Sequence, residues 1–237
     1  MRILAVDIGN TRTGVGVFED GVLVLRRDVV SESLSACLEA DGRDADLCVV
    51  SCVRRDYDVQ QACGCLKCRI CRVDVKTAPL VVHYDYPERL GQDRIANAFG
   101  AMHHASGGAI VADFGTATHL DIVDPNGEFH AGPILAGVGT MIHALTARVT
   151  HLPSPDLTAI VDPIVRNTES GIQTGAILGT AGGVERMVSE IRKRLDYSPK
   201  VLITGGYAEW IAPHMQYDEW IPNLTLEGLC AYGMRFI

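Results

Sequence analysis

The stretches Asp7-Ile8-Gly9-Asn10-Thr11 and Asp113-Phe114-Gly115-Thr116-Ala117 share one pattern, and this repeat decides the fold. Each stretch follows a short apolar run and leads into a second apolar run. The second runs end in Asp20-Gly21 and Asn126-Gly127, which are turn pairs that favour the positive φ angles of β-hairpins. The repeat therefore predicts a duplicated domain that presents two hairpins to the phosphates of one nucleotide.

The residues of both hairpins suit phosphate chemistry. Glycine lets the backbone approach a phosphate closely, the following Asn or Thr adds side-chain donors, and the Asp can hold a metal ion or its waters. One such stretch could serve the geometry of a hairpin alone, but two copies with matching flanks favour nucleotide binding. The sequence has no G-x-x-x-x-G-K-[ST] motif and no G-x-G-x-x-G after a strand, so Walker-type and Rossmann-type sites are unsupported.

The composition is that of a globular protein. The chain has 237 residues, of which 47% are hydrophobic, which is enough core material for one large or two modest domains. The formal net charge of -8 and the lack of a Lys/Arg run argue against a nucleic-acid partner. No run approaches about 18 uninterrupted apolar residues, and the first strand begins too close to Met1 for a signal peptide. We therefore expect a cytoplasmic protein with neither a membrane nor a nucleic-acid partner.

The order of predicted elements indicates an α/β fold. In the first half we predict strands at 2–7, 13–18, 22–29, 46–52 and 70–75, with a helix at 32–40. In the second half we predict strands at 109–113, 118–123, 128–131 and 200–204, with helices at 138–149 and from Thr168 onward. Three antiparallel strands followed by alternating helix and strand are typical of duplicated ribonuclease-H-like domains with mixed sheets flanked by helices, as in the actin, hexokinase and Hsp70 superfamily. We expect one domain over 1–105 and another over 106–237.

The long helix is predicted from its apolar periodicity, and Asn167 or Thr168 can cap its start. Its apolar residues are expected to face the core rather than a cofactor. They are Ile177, Ala181, Val184, Val188, Ile191 and Leu195.

Four cysteines lie within one short segment, and they leave two interpretations open. A C-x-C-x2-C-x2-C run can supply thiolates to zinc or to an iron–sulfur cluster. The crowding of the thiols, and the alternation of Cys71 with Val73 and Val75, favour free thiols that pack as small hydrophobes. The four residues are Cys63, Cys65, Cys68 and Cys71.

No catalytic zinc site is expected among the histidines, since the first two are adjacent and point to different sides of a helix. The residues considered are His103, His104, His143 and His151.

The segment from Tyr84 to Asn97 carries the most specific chemistry. Pro87 and Gly91 predict a turn, which places Asp93 and Arg94 in the first turn of a helix. An Asp at that position can simply be a favourable charge at the positive end of the helix dipole. An adjacent Arg adds a second possibility, because Arg binds a carboxylate in bidentate fashion while Asp accepts a proton from an alcohol.

Taken in order along the chain, these motifs resemble the type III pantothenate kinase family. That family shows D-x-G-N-T, Y-x-x-P-x-x-x-G-x-D-R, D-x-G-T-A-T, an N-T before a helix with Q-[ST]-G, then T-G-G and L-T-L-x-G-L. The matching residues of this chain are Asp7 to Thr11; Tyr84, Pro87, Gly91, Asp93 and Arg94; Asp113 to Thr118; Asn167 and Thr168 with Gln173, Thr174 and Gly175; Thr204, Gly205 and Gly206; and Leu224 to Leu229.

The resemblance implies ATP-dependent phosphorylation of pantothenate to 4'-phosphopantothenate, the first step of coenzyme A biosynthesis, by a homodimer that uses Mg²⁺. It implies that Asp93 is the proton acceptor and that Asp113 binds a monovalent cation, K⁺ or NH₄⁺. The implied ATP contacts are Asp7, Ile8, Gly9, Asn10, Thr11, Arg12, Thr13, Gly14 and Thr116. The implied pantothenate contacts are Tyr84, Gly91, Gln92, Asp93, Arg94 and Thr168.

The chain departs from the family pattern at a few positions. Arg12 stands where the family usually has Asn, and His119 replaces a common Thr. Ala131 and Ala136 replace a Gly and the Pro of a G-G-x-I-x-P-G stretch. Two alternatives to pantothenate phosphorylation therefore stay open: a non-catalytic accessory relative of the same family, and a kinase of the same superfamily that acts on another small alcohol.

Overall fold

The computed structural model describes residues 1–157 and 160–236, and the chain divides into two compact units. The first unit contains residues 1–106, residues 127–130 and the C-terminal residues from Asn223 onward, while the second contains residues 107–126 and 131–222. We predicted one boundary between residues 105 and 106, whereas the chain returns twice to the first unit. No helix in the described part of the chain combines the length and apolar character needed to cross a membrane.

The strands are β1 (Arg2–Ile8), β2 (Thr13–Glu19), β3 (Val22–Val29), β4 (Leu47–Cys52), β5 (Arg69–Arg72), β6 (Val82–His83), β7 (Ala109–Phe114), β8 (Ala117–Val123), β9 (Phe129–Ala136), β10 (Lys200–Thr204) and β11 (Glu219–Trp220). The helices are α1 (Leu34–Asp41), α2 (Val59–Ala62), α3 (Gln92–His104), α4 (Val138–Arg148), α5 (Thr168–Arg192), α6 (Ala208–Ile211) and α7 (Leu224–Gly233). Short 3-10 helices lie at Ser31–Ser33, Pro87–Arg89, Ala212–His214 and Met234–Phe236.

The first unit is built on a five-stranded sheet in the order β3-β2-β1-β4-β5. Antiparallel pairing joins β1 to β2 and β2 to β3, whereas β4 pairs in parallel with both β1 and β5. Every residue of β4 is buried, as expected for a parallel strand covered on both faces. Cys48 and Cys52 of this strand are buried in the core, where they pack as small hydrophobes. The predicted strand at 70–75 is also shorter, since β5 ends at Arg72.

The second unit repeats this arrangement, because its strands are neighbours in the order β9-β8-β7-β10-β11. β7 pairs antiparallel with β8, and β10 pairs in parallel with β7 and β11. A central strand with one antiparallel neighbour and one parallel neighbour thus occurs in both units. This confirms the predicted duplication of a ribonuclease-H-like α/β fold with mixed sheets.

The hairpin turns agree only partly with the prediction. Asp20 and Gly21 both have positive φ, at 48° and 83°, as a two-residue turn between right-twisted strands requires. In the second pair only Gly127 has positive φ, at 80°. The second turn is therefore of another type, although both turns lie where the sequence predicts them.

α5 begins and packs as predicted. The Asn167 side chain accepts a hydrogen bond from the Ser170 backbone N–H at 2.8 Å, which caps the helix. α5 ends at Arg192, so Leu195 lies beyond it, where it still packs against the same core. The predicted stripe is buried at Ile177, Ala181, Val184 and Val188.

α7 belongs to the first unit, where it packs against α3. The Thr225 hydroxyl donates to Asn97 Oδ1 at 2.8 Å, and His104 Nε2 lies 2.7 Å from Glu227 Oε2. Asn97 is fully buried in the middle of α3. Because buried polar groups need partners, these contacts fix the position of α3 and therefore of its N-terminal turn.

Candidate active site

The first hairpin forms an open polar loop. Four residues, Gly9–Arg12, connect β1 to β2, and Gly9 N–H donates to the Arg12 carbonyl at 3.1 Å. Asn10, Thr11 and Arg12 are exposed, whereas Thr13 is fully buried. The side chains of the loop therefore lie at the surface, while the residue at its base is buried in the sheet.

Asp7 is held at the base of this loop. Strand pairing places it beside Ser51 of β4 and opposite Gly14 of β2. The Ser51 hydroxyl donates a hydrogen bond to Asp7 Oδ1, and Ser51 is fully buried. A buried donor in a fixed strand orients the carboxylate. The sequence analysis missed Ser51, although its place beside Asp7 follows once the parallel register of β1 and β4 is known.

The segment with Asp93 and Arg94 has the predicted geometry. A 3-10 helix at Pro87–Arg89 leads to Gly91, the N-cap of α3, so both residues lie in the first helical turn. The Arg94 backbone N–H donates to Asp93 Oδ1 at 2.8 Å. Arg94 is only 7% exposed, and its guanidinium carbon lies 5.9 Å from the centre of the Phe129 ring.

Gln92 ties this helical turn to the sheet. Its side-chain carbonyl accepts a hydrogen bond from the Cys52 backbone N–H at 2.8 Å. Cys52 follows Ser51 in β4, and Ser51 binds Asp7. The end of β4 thus brings Asp7 and the start of α3 together within the first unit. Gln92 was expected to contact substrate, and the structure gives its side chain a positioning contact in addition.

Tyr84 lies between β6 and the 3-10 helix and is 40% exposed. Two residues later, the Tyr86 ring lies 4.6 Å from the Arg89 guanidinium carbon. Leu90 is buried and anchors the segment just before Gly91. The segment therefore presents Tyr84 at the surface on a stretch that is fixed at its far end.

The second hairpin has a shorter loop. Only Gly115 and Thr116 separate β7 from β8, and Gly115 N–H donates to the Ala117 carbonyl at 3.1 Å. The Thr116 carbonyl accepts from Gly137 N–H at 3.0 Å and from the Thr140 hydroxyl at 2.7 Å. The N-terminal turn of α4 therefore holds this loop from behind, while the Thr116 side chain stays at the surface.

His119 lies between two carboxylates of the second unit. Its Nε2 lies 3.7 Å from Asp113 Oδ2 and its Nδ1 lies 3.0 Å from Asp121 Oδ2, and His119 and Asp121 are buried. The antiparallel register places His119 opposite Asp113. The sequence analysis recorded His119 only as a departure from the family pattern. Its pairing with Asp121 follows from the two-residue period of β8, which puts both side chains on one face.

Gly205 makes room beside Asp113. It follows Thr204, the β10 residue in register with Asp113, and it has φ of 94°. A Cβ atom at this position would overlap Asp113 Oδ1 and the Phe114 backbone. The missing side chain therefore lets the Gly205 backbone pack closely against one carboxylate oxygen of Asp113. Oxygen donors of this kind suit a hard cation, so the residues present fit the monovalent ion that the family resemblance implies at Asp113.

Thr168 lines an apolar groove of about 730 Å³ in the second unit. The groove lies between α4 and the start of α5. Its lining includes Met141, Ile142, Leu145, Val165, Thr168 and Ile172.

The side chains of the cysteine cluster do not converge as a metal-binding group. Among the described residues, the side chains that do converge in this way are His83, Glu128 and His130. Burial raises the pKa of the Cys68 and Cys71 thiols, whereas a hydrogen bond from a neighbouring thiol lowers the pKa of Cys63. All eight cysteines are without a disulfide bond, and the interpretation of the cluster as free thiols stays a prediction.

Comparison with known proteins places these features in a family. A family model described as type III pantothenate kinase matches residues 3–190. The chain is 34% identical to a type III pantothenate kinase from Roseiflexus sp. (strain RS-1), with 96% of each chain covered. It is 33% identical to a type III pantothenate kinase from Desulfosudis oleivorans, with 98% of each covered.

The fold is shared more widely. A ROK family glucokinase from Streptomyces griseus, solved in complex with glucose and AMPPNP, superposes with a TM-score of 0.60 at 12% identity, with 99% of each chain covered. At that identity the similarity concerns the fold alone, and it agrees with the predicted hexokinase-like architecture. The family model and the full-length relatives go further, and they show that this chain belongs to the type III pantothenate kinase family.

Proposed function

We propose that this kinase transfers the γ-phosphoryl group of ATP to the primary hydroxyl of pantothenate, with Asp93 as the proton acceptor. The observation that carries the proposal is the connection at the end of β4. There Ser51 holds Asp7, and the next residue, Cys52, holds Gln92 beside Asp93. A phosphate loop and a candidate base are thereby fixed to one strand.

The first hairpin would contact ATP. Its exposed loop supplies backbone N–H groups and side-chain donors, and the hard oxygens of Asp7 suit Mg²⁺ or its waters. When bound, Mg²⁺ would neutralise charge on the β- and γ-phosphate oxygens. Thr116 of the second hairpin would add a further contact. The proposed ATP contacts of the first hairpin are Asp7, Ile8, Gly9, Asn10, Thr11, Arg12, Thr13 and Gly14.

Pantothenate carries a carboxylate at one end and a primary hydroxyl at the other. We assign the carboxylate to Arg94, whose planar guanidinium can bind it in bidentate fashion. Arg94 is buried next to the Phe129 ring, so its charge is held in one place. Further contacts are assigned to Tyr84, Gly91, Gln92 and Thr168.

The chemistry follows from positioning. As the hydroxyl oxygen attacks the γ-phosphorus, the bond to the β-phosphate bridging oxygen breaks and ADP leaves. The hydroxyl proton passes to the Asp93 carboxylate. In a loose phosphoryl-transfer transition state this proton moves late, so Asp93 mainly orients the hydroxyl. The Arg94 backbone N–H that donates to Asp93 Oδ1 orients that carboxylate before transfer.

Asp113 would hold K⁺ or NH₄⁺ through its carboxylate oxygens. Such an ion would supply positive charge that a P-loop lysine supplies in other kinases. We further propose a homodimer in the cytoplasm. The free cysteines support that compartment, because thiols persist where the surroundings are reducing.

The test is an assay of dialysed, purified protein with ATP, Mg²⁺ and pantothenate, with and without K⁺ or NH₄⁺. Mass spectrometry of the product should show 4'-phosphopantothenate, with one ADP formed per product. A panel of other small alcohols serves as the control. A folded protein that binds ATP without transferring phosphate would indicate a non-catalytic relative, and faster transfer to another alcohol would indicate a different kinase.

A further inference from the structure

His83, Glu128 and His130 of the first unit form a compact cluster that the kinase chemistry does not use. His83 Nε2 lies 2.5 Å from Glu128 Oε2, and the two imidazole rings stack with centroids 4.3 Å apart and 6° between their planes. One potential ligand atom from each residue lies within 4.8 Å of the others. Within the described residues this is the sole group of three such ligands.

The backbone fixes the two histidines side by side. β6 pairs in parallel with the start of β9, with Val82 opposite Phe129 and His83 opposite His130. Phe129 is fully buried, and its backbone N–H donates to the Val81 carbonyl at 2.8 Å. Neighbouring side chains in register project from the same face of a sheet. The buried ring therefore anchors both strands and sets the spacing of the imidazoles.

We propose that His83, Glu128 and His130 bind a divalent transition-metal ion, of which Zn²⁺ is the best match. Two imidazole nitrogens and one carboxylate oxygen are a ligand set that zinc takes with bonds of about 2.0–2.2 Å, leaving one position for water. Tetrahedral geometry at that bond length separates the ligand atoms by about 3.4 Å. The side chains are exposed or half-buried, so small rotations bring their ligand atoms to that spacing.

A bound ion would join two parts of the chain that are 45 residues apart in sequence. His83 immediately precedes Tyr84, and His130 follows the Phe129 ring that lies beside Arg94. Metal binding would therefore cross-link the segment that leads to α3. This site lies outside the proposed kinase chemistry, and its test does not depend on that proposal.

The test uses tag-free, metal-stripped protein. Titration with Zn²⁺ against a chromogenic chelator should reveal one bound ion per chain. Substitution with Co²⁺ should give visible ligand-field bands without the near-ultraviolet charge transfer that a thiolate ligand produces. The spectrum thereby separates this site from the eight free cysteines.

Variants then locate the ion. His83→Gln and His130→Gln should each weaken binding at least about 100-fold, which exceeds the usual loss from an outer-shell partner. Glu128→Gln should weaken it less, because an amide oxygen remains as a neutral ligand. His103→Gln, which removes a histidine outside the cluster, is the matched control and should bind as wild type does. Thermal unfolding of each metal-free variant checks that it folds.

A Co²⁺ spectrum with thiolate charge transfer would overturn the proposal. So would unchanged binding in the folded His83→Gln and His130→Gln variants, an equal loss in His103→Gln, or no bound ion in the wild type.

Discussion

The two hairpins share a strand arrangement but surround their aspartates differently. Asp7 faces Gly14 across the antiparallel pair and accepts a hydrogen bond from Ser51 on the parallel side. Asp113 faces His119 across its own antiparallel pair and has Gly205 beside it, just beyond the parallel register. The first aspartate thus has a hydroxyl donor beside it and a glycine opposite it, whereas the second has an imidazole opposite it.

The loops of the two hairpins also differ, in length and in how firmly the neighbouring residues hold them. The first has four residues, three of which carry exposed polar side chains, and the second has two residues, of which Thr116 has its carbonyl held by α4. A longer open loop can wrap phosphates, and a short braced loop fixes the geometry of its own aspartate. The duplicated fold therefore supplies two equivalent strand ends, and the neighbouring side chains give each a separate task.

The largest expected effect is a difference in kcat between the variants Asp7→Asn and Asp113→Asn. Removing the Asp7 charge should lower kcat roughly 10²- to 10³-fold, because a preorganised group that stabilises the transition state is lost. Asp113→Asn should lower kcat only about 10-fold, since it weakens a bound monovalent cation rather than the phosphate loop. Steady-state kinetics at saturating Mg²⁺ measure kcat for both variants. A larger loss in Asp113→Asn would reverse the two roles.

The second difference concerns the backbone beside Asp113. Gly205→Ala should lower the free energy of unfolding by about 3 kcal/mol, because it combines a positive φ with an overlap at Asp113 Oδ1. Gly21→Ala is the control, with a similar φ but open space around its Cβ, and should cost only about 1 kcal/mol. Urea unfolding of both variants measures the difference between their free energies of unfolding. Equal losses would mean that the space beside Asp113 is not crowded.

His119→Thr tests the imidazole that distinguishes the second hairpin. The substitution should lower the free energy of unfolding by about 2 kcal/mol, since the buried Asp121 carboxylate loses its contact with the imidazole. Adding Asp121→Asn should recover part of that loss, because a neutral amide is less costly to bury. Thermal unfolding of the single and double variants provides the comparison. If His119→Thr is as stable as the wild type, the contact between His119 and Asp121 contributes nothing to the free energy of unfolding.

Ser51→Ala is expected to have the smallest effect. Without the hydroxyl donor, the Asp7 carboxylate is less well oriented, and kcat/KM for ATP should fall about 5- to 10-fold. The control is Ser35→Ala, at an exposed serine of α1, which should leave kcat/KM for ATP unchanged. If both variants behave alike in the kinase assay, the hydrogen bond to Asp7 has no role in ATP use.

Much of the fold could be predicted because its signals are local. The repeated Asp-x-Gly stretches, the turn pairs and the apolar periodicity of α5 each depend on a few neighbouring residues, and the structure confirms the elements that they predict. The bounds of β5 and the end of α5 were less accurate. Strand and helix ends depend on which partners are available to bond them, and a local pattern does not contain that information.

The contacts that shape the site are not local, and the sequence analysis missed them. Ser51 meets Asp7 only through the parallel register of β4, 44 residues along the chain. The return of α7 to α3 joins Thr225 to Asn97 across 128 residues. The pairing of His83 with Glu128 likewise requires β6 to lie beside β9. Each depends on how elements pack, which a motif at either end does not specify.

Single-turnover phosphoryl transfer tests the role of Asp93 most directly, with Asp93→Asn preloaded with ATP and Mg²⁺ and then mixed with pantothenate. We expect ATP binding close to that of the wild type and a transfer rate lower by roughly 10²-fold or more, because the hydroxyl loses its proton acceptor. Transfer at the wild-type rate, or loss of ATP binding together with activity, would contradict the role assigned to the first turn of α3.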